Sequence, residues 1–139
     1  IENYESIPEE LRPKIGNLIY GCDICQQVCP WTRFAGEGDS PVWGKPSLDV
    51  TTPELLDLME LDEAAFFKRF EGTPILRIKR RRLLRNVAVA LGNSGDARAI
   101  PALTRALEDE EELIREHAAW ALEQIESGKQ ASESTPAFP

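Results

Sequence analysis

The sequence predicts a mainly α-helical protein in two unequal parts, a cysteine-bearing loop region followed by a helical repeat domain. Three observations carry that expectation. Beyond about Pro46 the apolar residues recur at helical spacing between capping signals. One stretch of that pattern echoes itself 31 residues further on. No segment shows the alternation of a half-buried strand.

Up to Pro46 the chain is rich in turn formers, and "FAGEGDSPVWGKPS" reads as a loop or linker. Thr52, Pro53 and Glu54 look like a cap with Pro in the first turn, opening a helix over "PELLDLM". Asp62 is placed to cap "EAAFFKRF", which Gly72 ends. A longer helix is expected from about Ile78 to Gly92, with "GNSGD" as its stop. Asp96 caps "ARAIPALTRAL", and a last helix covers "EEELIREHAAWALEQIES" as far as Gly128. The tail "KQASESTPAFP" has the composition of a disordered end. The expected divisions are therefore 1–46, 47–127 and 128–139.

The echo lays "LLRNVAVALG" over "IREHAAWALE", pairing Ala88 with Ala119, Ala90 with Ala121 and Leu91 with Leu122. Alanines let helices approach closely, and leucines fill the seam between them. Two helices per unit at this period read as an α-solenoid, and the segment resembles HEAT-like repeats. A plain helical bundle satisfies the same periodicity.

The formal net charge of −8 argues against indiscriminate nucleic-acid binding. Its distribution is uneven. "RIKRRRLLR", Arg77 to Arg85, carries six basic groups and no acid, so the remainder sums to −14. One concentrated basic segment in an acidic chain suggests a directed anionic contact. No apolar run is long enough to span a bilayer. The polar opening "IENYESIPEE" is read as no signal peptide, and the first residue, Ile rather than Met, as the start of a piece of a longer protein.

All three cysteines stand in "YGCDICQQVCPW". Cys22-x2-Cys25-x3-Cys29-Pro30 matches the last three ligands of the run C-x2-C-x2-C-x3-C-P that binds iron–sulfur clusters. A [4Fe–4S] cube takes four thiolates, so three cannot complete one. A disulfide requires an oxidising compartment that nothing here suggests. Zinc requires a fourth ligand, and His117, the single histidine, lies far along the chain in an apolar setting that suits a core or interface residue. Three unrelated buried thiols fit the spacing least well. Trp31 and Phe34 read either as a water shield for a cluster or as packing of the loop against the helices.

"LIYGCDICQQVCPWTRFA" followed by "GTPILRIKRRRLLRNVAVALGN" resembles the C-terminal third of epoxyqueuosine reductases, over about Ile1 to Ser127. These are cobalamin-dependent enzymes that reduce epoxyqueuosine to queuosine at the wobble position of tRNA. The resemblance implies an upstream catalytic domain, a ferredoxin-like domain with two [4Fe–4S] clusters, and HEAT-like helices behind it. It implies that Cys22 and Cys25 ligate the second cluster and that Cys29 reaches back to the first. Asp23 is the candidate contact to the corrin, with a plain turn role as its alternative. The proton donor and most of the cobalamin pocket would lie upstream, so no catalytic residue is expected here and the chain alone should be inactive. A cytoplasmic location and an external electron donor are implied as well.

On an ideal helix Leu83, Leu84, Val87, Ala90 and Leu91 share one face, with Arg77, Arg81 and Arg85 as a stripe on the other. Arg80 falls in the apolar sector: either the helix begins after it, or its side chain reaches into a groove. Arginine suits phosphates and splayed bases. A solvated face paired with acidic helices is the competing reading, weakened because Lys79 to Arg82 repel one another without an anion. The resemblance tips the segment toward the anticodon region of tRNA, through Arg77, Lys79, Arg80, Arg81, Arg82 and Arg85. Two other functions stay open on residue chemistry alone. A ferredoxin-type electron carrier with a helical docking module would be indifferent to tRNA. A HEAT-like interaction module would tolerate loss of all three cysteines.

Overall fold

The computed structural model describes residues 3–22, 24–34 and 53–133, with side chains described as far as 128. Every regular element among the described residues is helical. A 3-10 turn, Glu9–Leu11, runs into α1 (Arg12–Ile15), and α2 (Ile24–Gln27) is followed by a 3-10 turn over Pro30–Phe34. Then come α3 (Leu55–Met59), α4 (Glu63–Phe70), a 3-10 turn Pro74–Ile78, α5 (Lys79–Ser94), a 3-10 turn Ala97–Ala99, α6 (Ile100–Ala106) and α7 (Glu112–Glu133).

Local chemistry sets most of the boundaries. The Asp62 carboxylate accepts from the Ala65 N–H at 2.7 Å and opens α4. Asp96 accepts from the Arg98 N–H at 2.9 Å in the turn before α6. Gly95, with φ +65, ends α5 in the left-handed conformation that a residue with a Cβ adopts at a cost. Two boundaries differ from expectation. α3 starts at Leu55 with no side-chain cap, and Thr52 lies outside the described residues. α7 continues through Gly128 to Glu133, because the packing of its upstream turns carries the helix past a residue that opposes it only by about 1 kcal/mol.

The core is built around α5. Leu83, Leu84, Val87, Ala88, Val89 and Ala90 are each at most 1% exposed, so this helix is buried around its whole circumference there. α7 covers one side, α3 another and α1 a third. At the α5–α7 crossing Gly92 meets Ala121: a Cβ on Gly92 would stand 2.8 Å from the Ala121 Cα and 2.9 Å from the Trp120 ring. The close approach expected of the alanines is made here by Gly92 and Ala121, while Ala119 faces solvent.

Candidate iron–sulfur loop and basic segment

Gly21, with φ +64, turns the chain out of the α1 region into the cysteine loop. Cys22 precedes α2, Cys25 lies on it, and Cys29 follows it. The loop is held by its own backbone: Val28 N–H donates to Ile24 O, Cys29 N–H to Gln26 O and Thr32 N–H to Cys29 O. The Thr32 hydroxyl adds a bond to Gln26 O at 2.7 Å. Cys22 and Cys25 are exposed, Cys29 is half-buried, and all three are free thiols. Among the described residues no three potential ligands converge on a point that would hold one metal ion. Thiols in this spacing have the ligand chemistry of iron–sulfur clusters. Asp23 lies outside the described residues.

Trp31 and Phe34 are 75% and 67% exposed, with ring centroids 5.9 Å apart. They do not pack the loop against the helices. Ile24 and Val28 beside them are exposed too. A groove of about 670 Å³, which sequence reasoning missed, opens between the N-terminal segment and α5. Leu11, Leu18, Ile19 and Ile24 line it, together with Cys22 and Arg85.

The basic segment divides into inner and outer groups. Arg85 is buried, donating from Nη1 to Asn3 O and Glu5 O and from Nε to Asn86 Oδ1. Burial and the neighbouring Arg82 and Arg81 charges push its pKa down to about 10. Arg82 is buried as well, donating to Ile78 O and Arg77 O with its guanidinium 4.1 Å over the Tyr4 ring. Arg80 reaches across to Leu61 O and forms a two-pronged ion pair with Asp109, so it serves the helical core and not an open clamp. The expected stripe of Arg77, Arg81 and Arg85 does not form, because Ala88 and Val89 extend the apolar surface around α5 and draw Arg85 inside with it. Arg77 and Lys79 remain exposed, and Arg81 is half-exposed with Glu111 only at 4.0 Å. Lys79 stands at φ +59 and ψ 162.

A buried histidine latch joins the two parts. His117 is fully buried; its Nε2 accepts from the Ile7 N–H at 3.1 Å, while Nδ1–H donates to Leu113 O at 2.8 Å. Burial holds its pKa below the ordinary value, as a core residue requires. Beside it Arg12 and Ser6 both bond Glu116. Two asparagines of α5 also hold the N-terminal segment: Asn86 donates to Ile19 O, and Asn93 to Arg12 O and Gly16 O. "RN" and "GN" in a helix carry no signal that would have singled these out.

The family of 4Fe-4S double cluster binding domains matches residues 1–32, and that of HEAT repeats matches residues 74–137. The epoxyqueuosine reductase of Xanthomonas campestris pv. campestris is 47% identical over 126 residues, covering 89% of this chain and 35% of that protein. This chain resembles part of an epoxyqueuosine reductase. The epoxyqueuosine reductase of Escherichia coli K12 is 44% identical over 124 residues, covering 89% of the chain and 32% of the relative. A crystal structure of an epoxyqueuosine reductase with an epoxyqueuosine-modified tRNA-Tyr stem loop superposes with a TM-score of 0.80 at 31% identity, covering 96% of this chain and 37% of that one. The Streptococcus thermophilus epoxyqueuosine reductase superposes at 0.75 and 29% identity. The chain spans about a third of the length of the curated relatives it matches. No helix among the described residues is long and apolar enough to cross a membrane.

Proposed function

We propose that this chain is the C-terminal third of an epoxyqueuosine reductase, a cytoplasmic oxidoreductase acting on tRNA. In it, residues 1–46 complete a two-cluster iron–sulfur domain and 47–127 form the helical domain behind it. The observation that carries this reading is three free thiols in the C-x2-C-x3-C-P spacing, two of them exposed and one half-buried. When bound, [4Fe–4S] clusters supply one-electron transfer, in this family toward cobalamin. The chain's own residues do the rest. Cys22 and Cys25 hold one cluster and Cys29 the other. The exposed Ile24, Val28, Trp31 and Phe34 exclude water where the upstream domain closes over the loop. On the opposite part, Arg77, Lys79 and Arg81 present positive charge to the tRNA backbone, while Arg80, Arg82 and Arg85 hold the helix that carries them. Catalytic acid and corrin pocket belong to the upstream domain, and the chain alone is inactive.

The test uses the full-length protein, reconstituted anaerobically. Wild type should bind two clusters. Cys22→Ser and Cys25→Ser should each abolish the same electron paramagnetic resonance (EPR) signal, and Cys29→Ser the other. Two clusters untouched by all three substitutions would sink the reading and favour the interaction module. Intact clusters with no affinity for a tRNA stem loop would favour the electron carrier.

A further inference from the structure

The cysteine loop needs a fixed point, and one α5 side chain supplies it. Asn86 Nδ2 donates to Ile19 O at 2.8 Å, three residues before Cys22. Beyond it, the hydrogen bonds described for residues 24–34 run within the loop. The carbonyl of Ile19 is therefore the last point at which a described hydrogen bond ties the backbone to the helical core before the first thiol. Gly21 then turns the chain outward with φ +64.

The Asn86 amide has one possible orientation. Its Oδ1 accepts from Arg85 Nε at 3.0 Å, and Arg85 is itself fixed by Asn3 O and Glu5 O. A flipped amide would set N–H against N–H and oxygen against oxygen. The guanidinium also polarises the amide, strengthening the bond that its other end gives to Ile19. Asn93, two turns along the same face, repeats the device on Arg12 O and Gly16 O. α5 thus sets the height of the segment that delivers Cys22.

We propose that Asn86 is a positioning residue for Cys22, acting through Ile19 to set the iron retention and reduction potential of the cluster that Cys22 ligates. The inference rests on the ligand assignment given under the proposed function. Cluster potential depends on hydrogen bonding and solvent exposure at the ligating sulfurs, and groups that orient metal ligands are worth about 10–100-fold in metal affinity.

Two variants of the full-length, two-cluster protein separate positioning from folding. Asn86→Asp keeps an acceptor for Arg85 but turns an oxygen on Ile19 O; Asn86→Leu removes both bonds at similar volume. Both should release iron to a chelator about tenfold faster than wild type. Both should shift the EPR signature and midpoint potential of the cluster that Cys22→Ser abolishes. The signal abolished by Cys29→Ser should stay in place, with helical content by circular dichroism unchanged. Wild-type iron release and potentials in both variants would overturn the inference alone. So would loss of helical structure in both, which would make Asn86 a general folding residue. A wild-type protein that binds no clusters would overturn the functional reading and this inference with it.

Discussion

Lys79 occupies a backbone region almost reserved for glycine, at φ +59 and ψ 162. Such a conformation costs about 1–3 kcal/mol and persists only where the surroundings impose it. Here the 3-10 turn ending at Ile78 meets α5, and the exposed Lys79 side chain makes no described contact that would repay the strain. Lys79→Gly should therefore raise stability by about 1 kcal/mol in urea unfolding, after glycine's own entropy is counted. In the full-length protein the same change should weaken tRNA binding. A loss of stability would show that the lysine is held by packing instead. His117 makes a second residue-scale prediction. Burial, with Arg12 and Arg85 nearby, lowers its pKa below the ordinary 6.5, against a smaller opposing pull from Leu113 O and Glu116. The unfolded chain then binds the proton more readily, so stability is full above pH 6.5 and falls as pH drops toward the folded pKa. Glu116 is also lowered: burial opposes this, but Ser6 and Arg12 outweigh it, so its contribution is lost below its ordinary 4.5. His117→Gln should remove the upper step of a urea-midpoint profile and leave the lower one. The core setting of His117 was legible in the sequence, and so was the pattern of the cysteines. Their signal is a spacing along the chain, whereas His117 meets Ile7 across 110 positions, a pairing no local pattern encodes.

At the scale of elements, α5 decides the architecture, and its glycine decides how α7 crosses it. Gly92→Ala would drive a methyl to within 3 Å of the Ala121 backbone and the Trp120 ring. Backbone cannot yield as a side chain can, so the helices must separate, at about 1–3 kcal/mol. Urea unfolding should show that loss, and a neutral result would mean the crossing is looser than the described distances. The aromatic residues divide the same way. Trp120 is buried with the Arg12 guanidinium 5.6 Å above its ring, so Trp120→Ala should cost about 3–5 kcal/mol. Trp31→Ala, on an exposed ring, should change the stability of this chain by less than about 0.5 kcal/mol. Helices, caps at Asp62 and Asp96, and the apolar face of α5 were all legible, because each is a local pattern. The expected outer stripe failed at Arg85 for a definite reason. Periodicity assigns a side chain to a sector of the helix, but three neighbouring elements cover α5, and a sector covered by backbone carbonyls can hold a guanidinium as well as solvent can.

Across the whole molecule, charge sorts into cations that hold the fold and cations that face outward, and salt dependence distinguishes them. A phosphate contact releases counterions, so removing one flattens the log–log dependence of affinity on salt by about 0.7–0.9. Among the described residues Arg81 meets an acid only at Glu111, 4.0 Å away, so it is available to an anion at little cost in internal bonding. Arg81→Glu in the full-length protein should weaken binding to a tRNA stem loop and reduce the slope by at least that amount, leaving thermal stability near wild type. Arg85→Met should do the reverse. It removes two part-buried hydrogen bonds, to Asn3 O and Glu5 O, at about 1–3 kcal/mol for bonds given by a charged donor, and so loosens the N-terminal segment. Its salt slope should match wild type wherever the variant remains folded, since a guanidinium spent on two carbonyls has little left for a phosphate. Fluorescence anisotropy across a salt series, run beside thermal unfolding, reads both quantities on the same samples. If Arg85→Met flattened the slope and Arg81→Glu did not, the tRNA would have to enter the groove beside Cys22, and the outer face would be mere solvated charge.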